Sequence, residues 1–141
     1  MDHVAIMNPT IGSIAKILTG VKTIESRWSK YKIAPWDKIH SNDSVYFKYS
    51  GGPIIAKATV SKVQQFEKLD EQKFNFIVEN FGESICLQNT EYDSWYQSKN
   101  YVTLIFLENP QKVEPFQIDK SGFGSGCAWI TTSNVKLLLQ L

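Results

Sequence analysis

Strand-like segments dominate the chain, and the two helix-like segments between them follow no repeating order. Strands are predicted over residues 3–7, 21–28, 44–50, 54–63, 101–107 and 128–132. Helices are predicted over residues 9–19 and 70–81, and residues 83–100 are predicted to be partly helical. Parallel α/β folds need repeated strand–helix–strand units, which this order lacks. The sequence therefore predicts an α+β protein: a small mixed β-barrel of five to six strands, flanked by two or three helices.

Apolar spacing and capping residues define the two main helices. The first has one apolar face, formed by Ile11, Ile14, Ala15 and Leu18. Asn8 and Pro9 suit its N-cap and first position, and Gly20 suits its C-cap. The second has a similar face, formed by Phe74, Ile77, Val78 and Phe81. Gly82 predicts the end of this helix.

Loops are predicted where turn-forming residues cluster. They cover residues 29–43, the hairpin turn 51–53 and residues 108–127. The glycine-rich stretch 122–126 lacks the strand before it and the helix after it that a phosphate-binding loop needs. It is therefore predicted to be a flexible loop.

The length of 141 residues is typical of one domain, and 43% apolar residues exclude a disordered chain. We expect a single domain over residues 1–141. No apolar run approaches the roughly 20 residues that cross a bilayer, and no secretory leader is recognisable. These features predict a cytoplasmic protein that does not bind membranes.

Cysteine and histidine usage gives no sign of a cofactor. Cys86 and Cys127 are far apart in sequence and lack the spacing of zinc ligands or a redox pair. His3 and His40 have no partners at the spacing of a known catalytic triad. No metal and no cofactor are expected.

Charge is balanced overall but divided along the chain. The net charge of +1 excludes binding of nucleic acid by a broad basic surface. Residues 1–62 carry a net +5, however, and residues 63–141 a net −4. The single arginine, Arg27, lies in the basic part, and arginine offers a planar fork to phosphate or carboxylate. A small, focused anion site remains compatible with this distribution.

Residues 20–27, of sequence GVKTIESR, combine several polar side chains on one predicted strand. Thr23, Glu25 and Arg27 share a face, and Lys22 lies nearby. Glu25 is suited to accept from a base amine or ring N–H, and Arg27 to hold phosphate or to orient Glu25. Two alternatives remain open. Glu25 and Arg27 simply pair with each other, or Lys22 and Glu25 form a proton-transfer pair in a hydrolase.

Aromatic side chains in polar stretches are candidates for stacking against an unpaired base. They are Trp28, Trp36, Tyr49 and Trp95, whereas Trp129 is predicted to be a core residue. The hairpin turn adds further candidate binding residues at Lys48, Tyr49, Ser50 and Gly51. A backbone-contacting rim is predicted from Lys30, Lys32, Lys38 and Lys48.

The pattern G-x-K-T-x-E-x-R at residues 20–27, placed after an amphipathic helix, resembles the signature of ASCH domains in the PUA-like superfamily. The hairpin at residues 48–53 follows at a fitting distance, and the resemblance in element order extends over residues 3–107. It implies a β-barrel with a cleft beside the first helix. It also implies an association with RNA or with modified bases and nucleosides.

Some ASCH proteins are similar to amidohydrolases that remove an acyl group from a modified cytidine with a Lys, a Thr and a later Glu. The Lys matches Lys22, and the Thr that follows it matches Thr23. Glu25 stands where that enzyme type has its nucleophilic threonine, and a carboxylate does not replace the hydroxyl. The later acid remains open among Glu67, Glu71, Glu79 and Glu83.

Together, the residues and the resemblance predict a protein that binds single-stranded RNA or a modified nucleoside or nucleotide. The alternative is a small hydrolase, of the amidohydrolase or ribonuclease type, that acts on modified nucleosides or RNA. In that case Lys22 and Glu25 are the expected catalytic residues.

Overall fold

A computed structural model describes residues 1–124 and 126–140. Its elements are β1 (Asp2–Met7), α1 (Ser13–Leu18), β2 (Ile24–Ser29), β3 (Ser44–Tyr49), β4 (Ile54–Glu67), α2 (Glu71–Ile85), α3 (Ser94–Gln97), β5 (Tyr101–Phe116), β6 (Trp129–Thr132) and a final 3-10 helix (Val135–Leu138). Ser125 of the glycine-rich stretch and the terminal Leu141 lie outside the described residues.

The six strands form one sheet in the order β2-β5-β4-β3-β1-β6. β1 and β3 run parallel, and the other neighbours run antiparallel. The sheet curls into an open barrel, with helices packed at its end and on its outer face. The predicted α+β class and the mixed barrel-like sheet are therefore confirmed.

The barrel is open between its two edge strands, β2 and β6, which share no hydrogen-bonded ladder in the described part of the chain. Arg27 of β2 extends across this gap. Its Nη1 donates to the carbonyl of Ala128 at 3.2 Å, and its Nη2 to the carbonyl of Ile6 at 3.4 Å. We call this contact between Arg27, Ile6 and Ala128 the seam. A side chain, rather than the backbone, therefore completes the barrel here.

Apolar residues fill the barrel and the space beneath α2. The interior cluster includes Val45, Phe47, Ala56, Val60, Ile105 and Trp129, and Ile14 and Ile17 of α1 pack into it. The cluster beneath α2 includes Ile24, Phe74, Ile77, Val102 and Leu104. Trp129 is only 6% exposed, which confirms its predicted place in the core.

The first two elements after β1 begin later than predicted. α1 starts at Ser13 because residues 8–12 form turns and Gly12 adopts a left-handed conformation at its N-cap. Ile11, assigned by its spacing to the buried face, is therefore 43% exposed. β2 starts at Ile24 rather than at residue 21. Asn8, expected as the N-cap of the helix, instead accepts from the backbone and hydroxyl of Thr10 and forms a turn before it.

α2 and β5 extend beyond their predicted ends. Gly82 lies inside α2, and the helix continues to Ile85, which is buried. Cys86, in a left-handed conformation, is the C-cap. β5 continues to Phe116 through a segment predicted to be a loop. The long β4 supplies the ladder partner for this segment, whose side chains are mostly exposed. The polar composition of this segment does not predict a strand, because the segment is stabilised by pairing with β4, which is distant in sequence.

Helices contribute little of the structure's length. The longest, α2, has 15 residues. Within residues 1–124 and 126–140, none combines the length and apolar character of a bilayer-crossing helix.

Candidate functional site

A cleft of about 540 Å³ lies beside β2, between the β1–α1 connection and the segment from the end of α2 to α3. β2 is an edge strand of the sheet, and four of its consecutive residues line this opening. The strand and the residues before it contribute Lys22, Glu25, Ser26, Arg27 and Trp28 to the cleft. Most of the motif seen in the sequence is therefore gathered in one cavity.

Glu25 lies between two cations and is only 5% exposed. Lys22 Nζ is 3.8 Å from its Oε1, and Arg27 Nη2 is 4.0 Å from its Oε2. Oε1 also accepts from the backbone N–H of Ser26 at 3.1 Å. Oε2 is buried and has no hydrogen-bond partner. The cleft thus contains a buried carboxylate with unused acceptor capacity, which is uncommon in native structures.

Lys22 is itself buried, and its ammonium is held by the backbone. Its Nζ donates to the carbonyl of Ile85 at 2.6 Å, next to the C-terminal end of α2. This contact joins the segment before β2 to the end of α2 across the cleft. It also fixes the position of the ammonium relative to Glu25.

Arg27 contacts the barrel more closely than it contacts Glu25. Besides its two seam hydrogen bonds, its Nη2 lies 3.2 Å from Met7 Sδ, and its guanidinium lies 5.1 Å from the ring centre of Trp129. Its separation of 4.0 Å from Glu25 makes an ion pair without a hydrogen bond. The pairing of Glu25 with Arg27 therefore occurs, but it accounts for only part of the role of Arg27.

Aromatic rings form one wall of the cleft. Trp28 packs edge-on against Tyr96, with ring centres 4.9 Å apart, and its Nε1 donates to Ser26 Oγ. Trp95 is 51% exposed and stands edge-on to Tyr96. Lys99 Nζ lies 4.5 Å from the centre of the Trp95 ring. Trp95 is thus the most accessible of the predicted stacking residues, and Trp28 is half-buried behind it.

Asp93 and Tyr96 line the cleft but were not singled out from the sequence. Asp93 caps α3 by accepting from the N–H groups of Trp95 and Tyr96, and it accepts from Asn89 Nδ2 at 2.6 Å. Burial, and then the charge of Asp93, raise the pKa of the Tyr96 hydroxyl. An N-cap residue before an aromatic pair is recognisable in sequence, but its distance from Glu25 depends on the fold. The charged residues that line the cleft are two cations, Lys22 and Arg27, and two carboxylates, Glu25 and Asp93, so their formal charges sum to zero.

Several residues proposed from the sequence do not line the cleft. Thr23 is exposed, and its backbone bonds to Ser84 and Leu107. Trp36 packs against Tyr101. Gly51 lies in the hairpin turn. Further residues that do not line the cleft are Lys30, Lys32 and Lys38 in the 29–43 loop, and Glu67, Glu71, Glu79 and Glu83.

Tyr49 also lies away from the cleft. It packs against the barrel-interior cluster, and its hydroxyl accepts from the backbone N–H of Ile14 at 3.2 Å. The structure therefore gives this side chain a place at the start of α1 rather than at the cleft wall.

A second hollow, of about 420 Å³, adjoins the cleft and shares Ile6, Met7 and Asn8 with it. Ser50 and Lys120 also line this cavity, which we call the lysine hollow. Lys48 pairs with Ile6 in register and is 5% exposed. Burial lowers the pKa of Lys48, and the nearby charge of Lys120 lowers it further. Lys48 itself does not line the hollow, and in the described part of the chain no ion pair within 4.0 Å joins Lys48 or Lys120 to a carboxylate.

Groups suited to metal binding are scattered. Among residues 1–124 and 126–140, no three His, Cys, Asp or Glu side chains are grouped to hold an ion. Cys86 and Cys127 are both free thiols.

Comparison with known proteins bears on the fold. No protein-family model and no curated protein matches the sequence. The crystal structure of ASCH from Zymomonas mobilis superposes with a TM-score of 0.69 and 15% identity, over 96% of this chain and 90% of that one. A point mutant of the Zymomonas mobilis protein gives the same score and identity, over 96% and 93%.

A more distant match is the hypothetical protein PH0355, with a TM-score of 0.53 and 20% identity, over 80% of this chain and 100% of that one. These similarities show that the chain has the fold of an ASCH domain of the PUA-like type. The resemblance seen in the sequence is confirmed at this level.

Proposed function

We propose that the chain binds single-stranded RNA or a modified nucleoside or nucleotide, with a base held in the cleft. The observation that supports this most strongly is the buried carboxylate of Glu25, whose Oε2 has no hydrogen-bond partner. A base presents the donor this oxygen needs, as an exocyclic amine or a ring N–H. Oε2 is covered by its neighbours, so the carboxylate or a group beside it has to move to admit the donor.

The size and charge of the cleft favour a neutral planar group over a polyanion. Its volume of about 540 Å³ falls within the range of roughly 300–1,000 Å³ typical of small-molecule sites. Its two cations are balanced by two carboxylates, so it offers little net attraction to phosphate. Trp95 at the wall provides an exposed ring against which a base can stack.

The lysine hollow favours a phosphorylated ligand or RNA over a free nucleoside. Lys120 lines the hollow, and its charge would attract an anion there, together with that of the buried Lys48 nearby. Because the hollow shares Ile6, Met7 and Asn8 with the cleft, we place a phosphate attached to the bound base on its side. Ser50 adds a hydroxyl donor to the same cavity.

The ASCH-type fold agrees with this proposal, since the motif resemblance carries an association with RNA and modified bases. The cytoplasmic location predicted from the sequence remains part of the proposal, as does the assignment of residues 1–141 to a single domain.

Binding can be tested by titrating tryptophan fluorescence with cytidine, cytidine monophosphate and a short single-stranded RNA. Glu25→Gln keeps the shape but removes the charge, and we expect at least tenfold weaker binding, because a hydrogen bond to a charged group contributes about 1.5–3 kcal/mol. Glu79→Gln, at an exposed glutamate outside the cleft, is the matched control. Equal affinity of wild type and Glu25→Gln would refute the base site.

The phosphate part of the proposal has its own test. Lys120→Ala is expected to weaken binding of cytidine monophosphate and RNA while leaving cytidine unchanged. An equal effect on all three ligands would show that Lys120 acts through the fold rather than through phosphate.

Hydrolysis is a second candidate, because Lys22 Nζ lies 3.8 Å from Glu25 Oε1 in a largely buried setting. Such a pair can pass a proton between water and a leaving group. Incubation with acylated cytidines or short RNA should then release product with wild type, but not with Glu25→Gln or Lys22→Met. No turnover above the buffer blank would leave binding as the function.

A further inference from the structure

His3 lies within the barrel, behind the seam, and its ring contacts three side chains, those of Trp129, Asp43 and Thr131. Its side chain is fully buried, and Trp129 Nε1 lies 3.1 Å from its Nδ1. Its Nε2 lies 2.8 Å from Asp43 Oδ2. An indole N–H can only donate, so Nδ1 must be the acceptor. The proton of the neutral imidazole is therefore on Nε2 and is donated to Asp43.

Asp43 anchors this arrangement to the loop before β3. Its Oδ2 also accepts from the backbone N–H of His40 at 2.9 Å, and its Oδ1 accepts from the amino group of Met1 at 3.1 Å. The carboxylate is thus held by several donors. It fixes the orientation of the His3 ring, and the ring in turn fixes the Trp129 indole.

Trp129 links the His3 ring to Arg27, which lines the cleft. Its ring lies beneath the Arg27 guanidinium, 5.1 Å from ring centre to Cζ, and the carbonyl of the preceding residue, Ala128, accepts from Arg27 Nη1. A shift of Trp129 therefore moves both a stacking surface and an acceptor of Arg27. Arg27 in turn lies beside Glu25 Oε2, the group to which the ligand is proposed to bind.

We propose that His3 is a positioning residue of the cleft: through Trp129 it holds Arg27 in place, and proton uptake by His3 releases Arg27. The effect on ligand rests on the proposed function, whereas the coupling between His3 and Arg27 does not.

The chemistry of protonation explains the release. An imidazolium carries N–H on both nitrogens, so its Nδ1–H would point at the Trp129 N–H, and two donors cannot bond to each other. Thr131 Oγ1, 3.1 Å from Nδ1, can turn to accept that proton in place of Trp129. The charged groups that face His3 are Asp43, Asp2 and the Met1 amine. Asp43 accepts from Nε2–H in both the neutral and the protonated ring. Protonation therefore changes the hydrogen bond between Nδ1 and Trp129.

Asp43, His3 and Thr131 have the residue types of a carboxylate–imidazole–hydroxyl triad, but their location points to a structural role. None of the three lines the cleft, the lysine hollow or a third hollow of about 320 Å³, whose lining includes Arg27, Pro35 and Trp129. The fully buried imidazole has no access to a substrate bound at any of these openings. Its influence on the cleft therefore passes through Trp129.

Nuclear magnetic resonance of the free protein tests the coupling without any ligand. Between about pH 8 and pH 5, the Trp129 indole N–H and the Arg27 Nε–H should shift with the same midpoint as the His3 ring, while the Trp95 indole stays constant. In Trp129→Phe, His3 should still titrate but Arg27 should no longer follow it. An Arg27 signal that ignores the His3 titration in wild type would overturn the proposal.

Cytidine binding separates this inference from the proposed function, because the base stays neutral over the same range. Affinity should fall at least threefold in wild type between about pH 7.5 and a pH at which the resonances show His3 to be protonated, and less in Trp129→Phe. Absence of cytidine binding at both pH values, with the coupled resonances intact, would refute the base site alone. Binding with no pH dependence would refute the control of the cleft by His3.

Discussion

The β4–β5 ribbon and the seam hold the barrel together in different ways. β4 and β5 pair from Ile54 opposite Phe116 to Glu67 opposite Tyr101, with backbone hydrogen bonds along the ribbon. At the seam, the Arg27 side chain bonds to two carbonyls instead. In a β-ladder the backbone N–H and C=O groups of both strands are paired with each other. Where a side chain bridges two strands instead, space remains between them and some polar groups have no partner. This difference explains why the cleft, with its unsatisfied carboxylate, lies beside the seam.

The largest effect is expected from damage to the ribbon. Leu104 of β5 is fully buried beneath α2, so Leu104→Ala should lower the free energy of unfolding by about 2–5 kcal/mol. Denaturant unfolding measures this. Leu137→Ala, at a residue that is 72% exposed, is the control and should change stability by less than about 0.5 kcal/mol. A small effect of Leu104→Ala would show that the ribbon is not the stable part of the barrel.

A smaller loss is expected at the seam. Arg27→Ala removes the donor to two carbonyls and one of the two cations beside Glu25, so it should destabilise the fold by about 1–3 kcal/mol without unfolding it. The double variant Arg27→Ala/Glu25→Gln should lose less than the sum of the two single changes, because the buried charge is removed with its partner. Strict additivity in denaturant unfolding would contradict coupling across the cleft.

Acid should weaken the side of the barrel that carries His3. Burial lowers the pKa of His3 and outweighs the opposite effect of Asp43, so the unfolded chain binds this proton more strongly. The contribution to stability is therefore full above pH 6.5, the ordinary pKa, and is lost as pH falls through the folded pKa.

Asp43 adds a second loss at lower pH. Burial alone would raise its pKa, but hydrogen bonds from His3 and from the His40 backbone outweigh burial and lower it below 3.8. Unfolding free energies measured from about pH 8 to pH 2 should thus decrease, with the Asp43 part of the loss below pH 3.8, and His3→Gln should flatten the first part of the curve. An unchanged slope in His3→Gln would assign the acid sensitivity to another group.

The smallest effect is expected at the contact between Lys99 and Trp95, which is an exposed contact of the same kind as that between Arg27 and Trp129. Lys99 lies over the half-exposed Trp95 ring, and such surface contacts contribute about 0.5–1 kcal/mol at most. Lys99→Ala should leave stability within about 0.5 kcal/mol of wild type while changing the tryptophan emission spectrum. A loss as large as that of Arg27→Ala would remove the distinction between a surface contact and the seam.

Local patterns in the sequence predicted much of the fold and part of the site. Lys22, Glu25 and Arg27 were singled out by the motif and do lie in one cleft. The extension of β5 to Phe116 was missed because its ladder partner, β4, is distant in sequence. The start of α1 at Ser13 was missed because Asn8 forms a turn with Thr10 instead of capping the helix. Trp36 and Tyr49 have the chemistry of stacking residues, but each packs elsewhere. Composition cannot report which surface a ring covers.

The sequence by itself determined the class of fold and the polar motif, because both depend on residue types at short spacing. Only the tertiary structure decided what the motif faces. It placed Asp93 and Trp95 opposite Glu25, left the Glu25 Oε2 atom without a partner, and set Trp129 between His3 and Arg27. These relations join residues up to 126 positions apart. Such distances are set by how the sheet curls, and no local pattern encodes them.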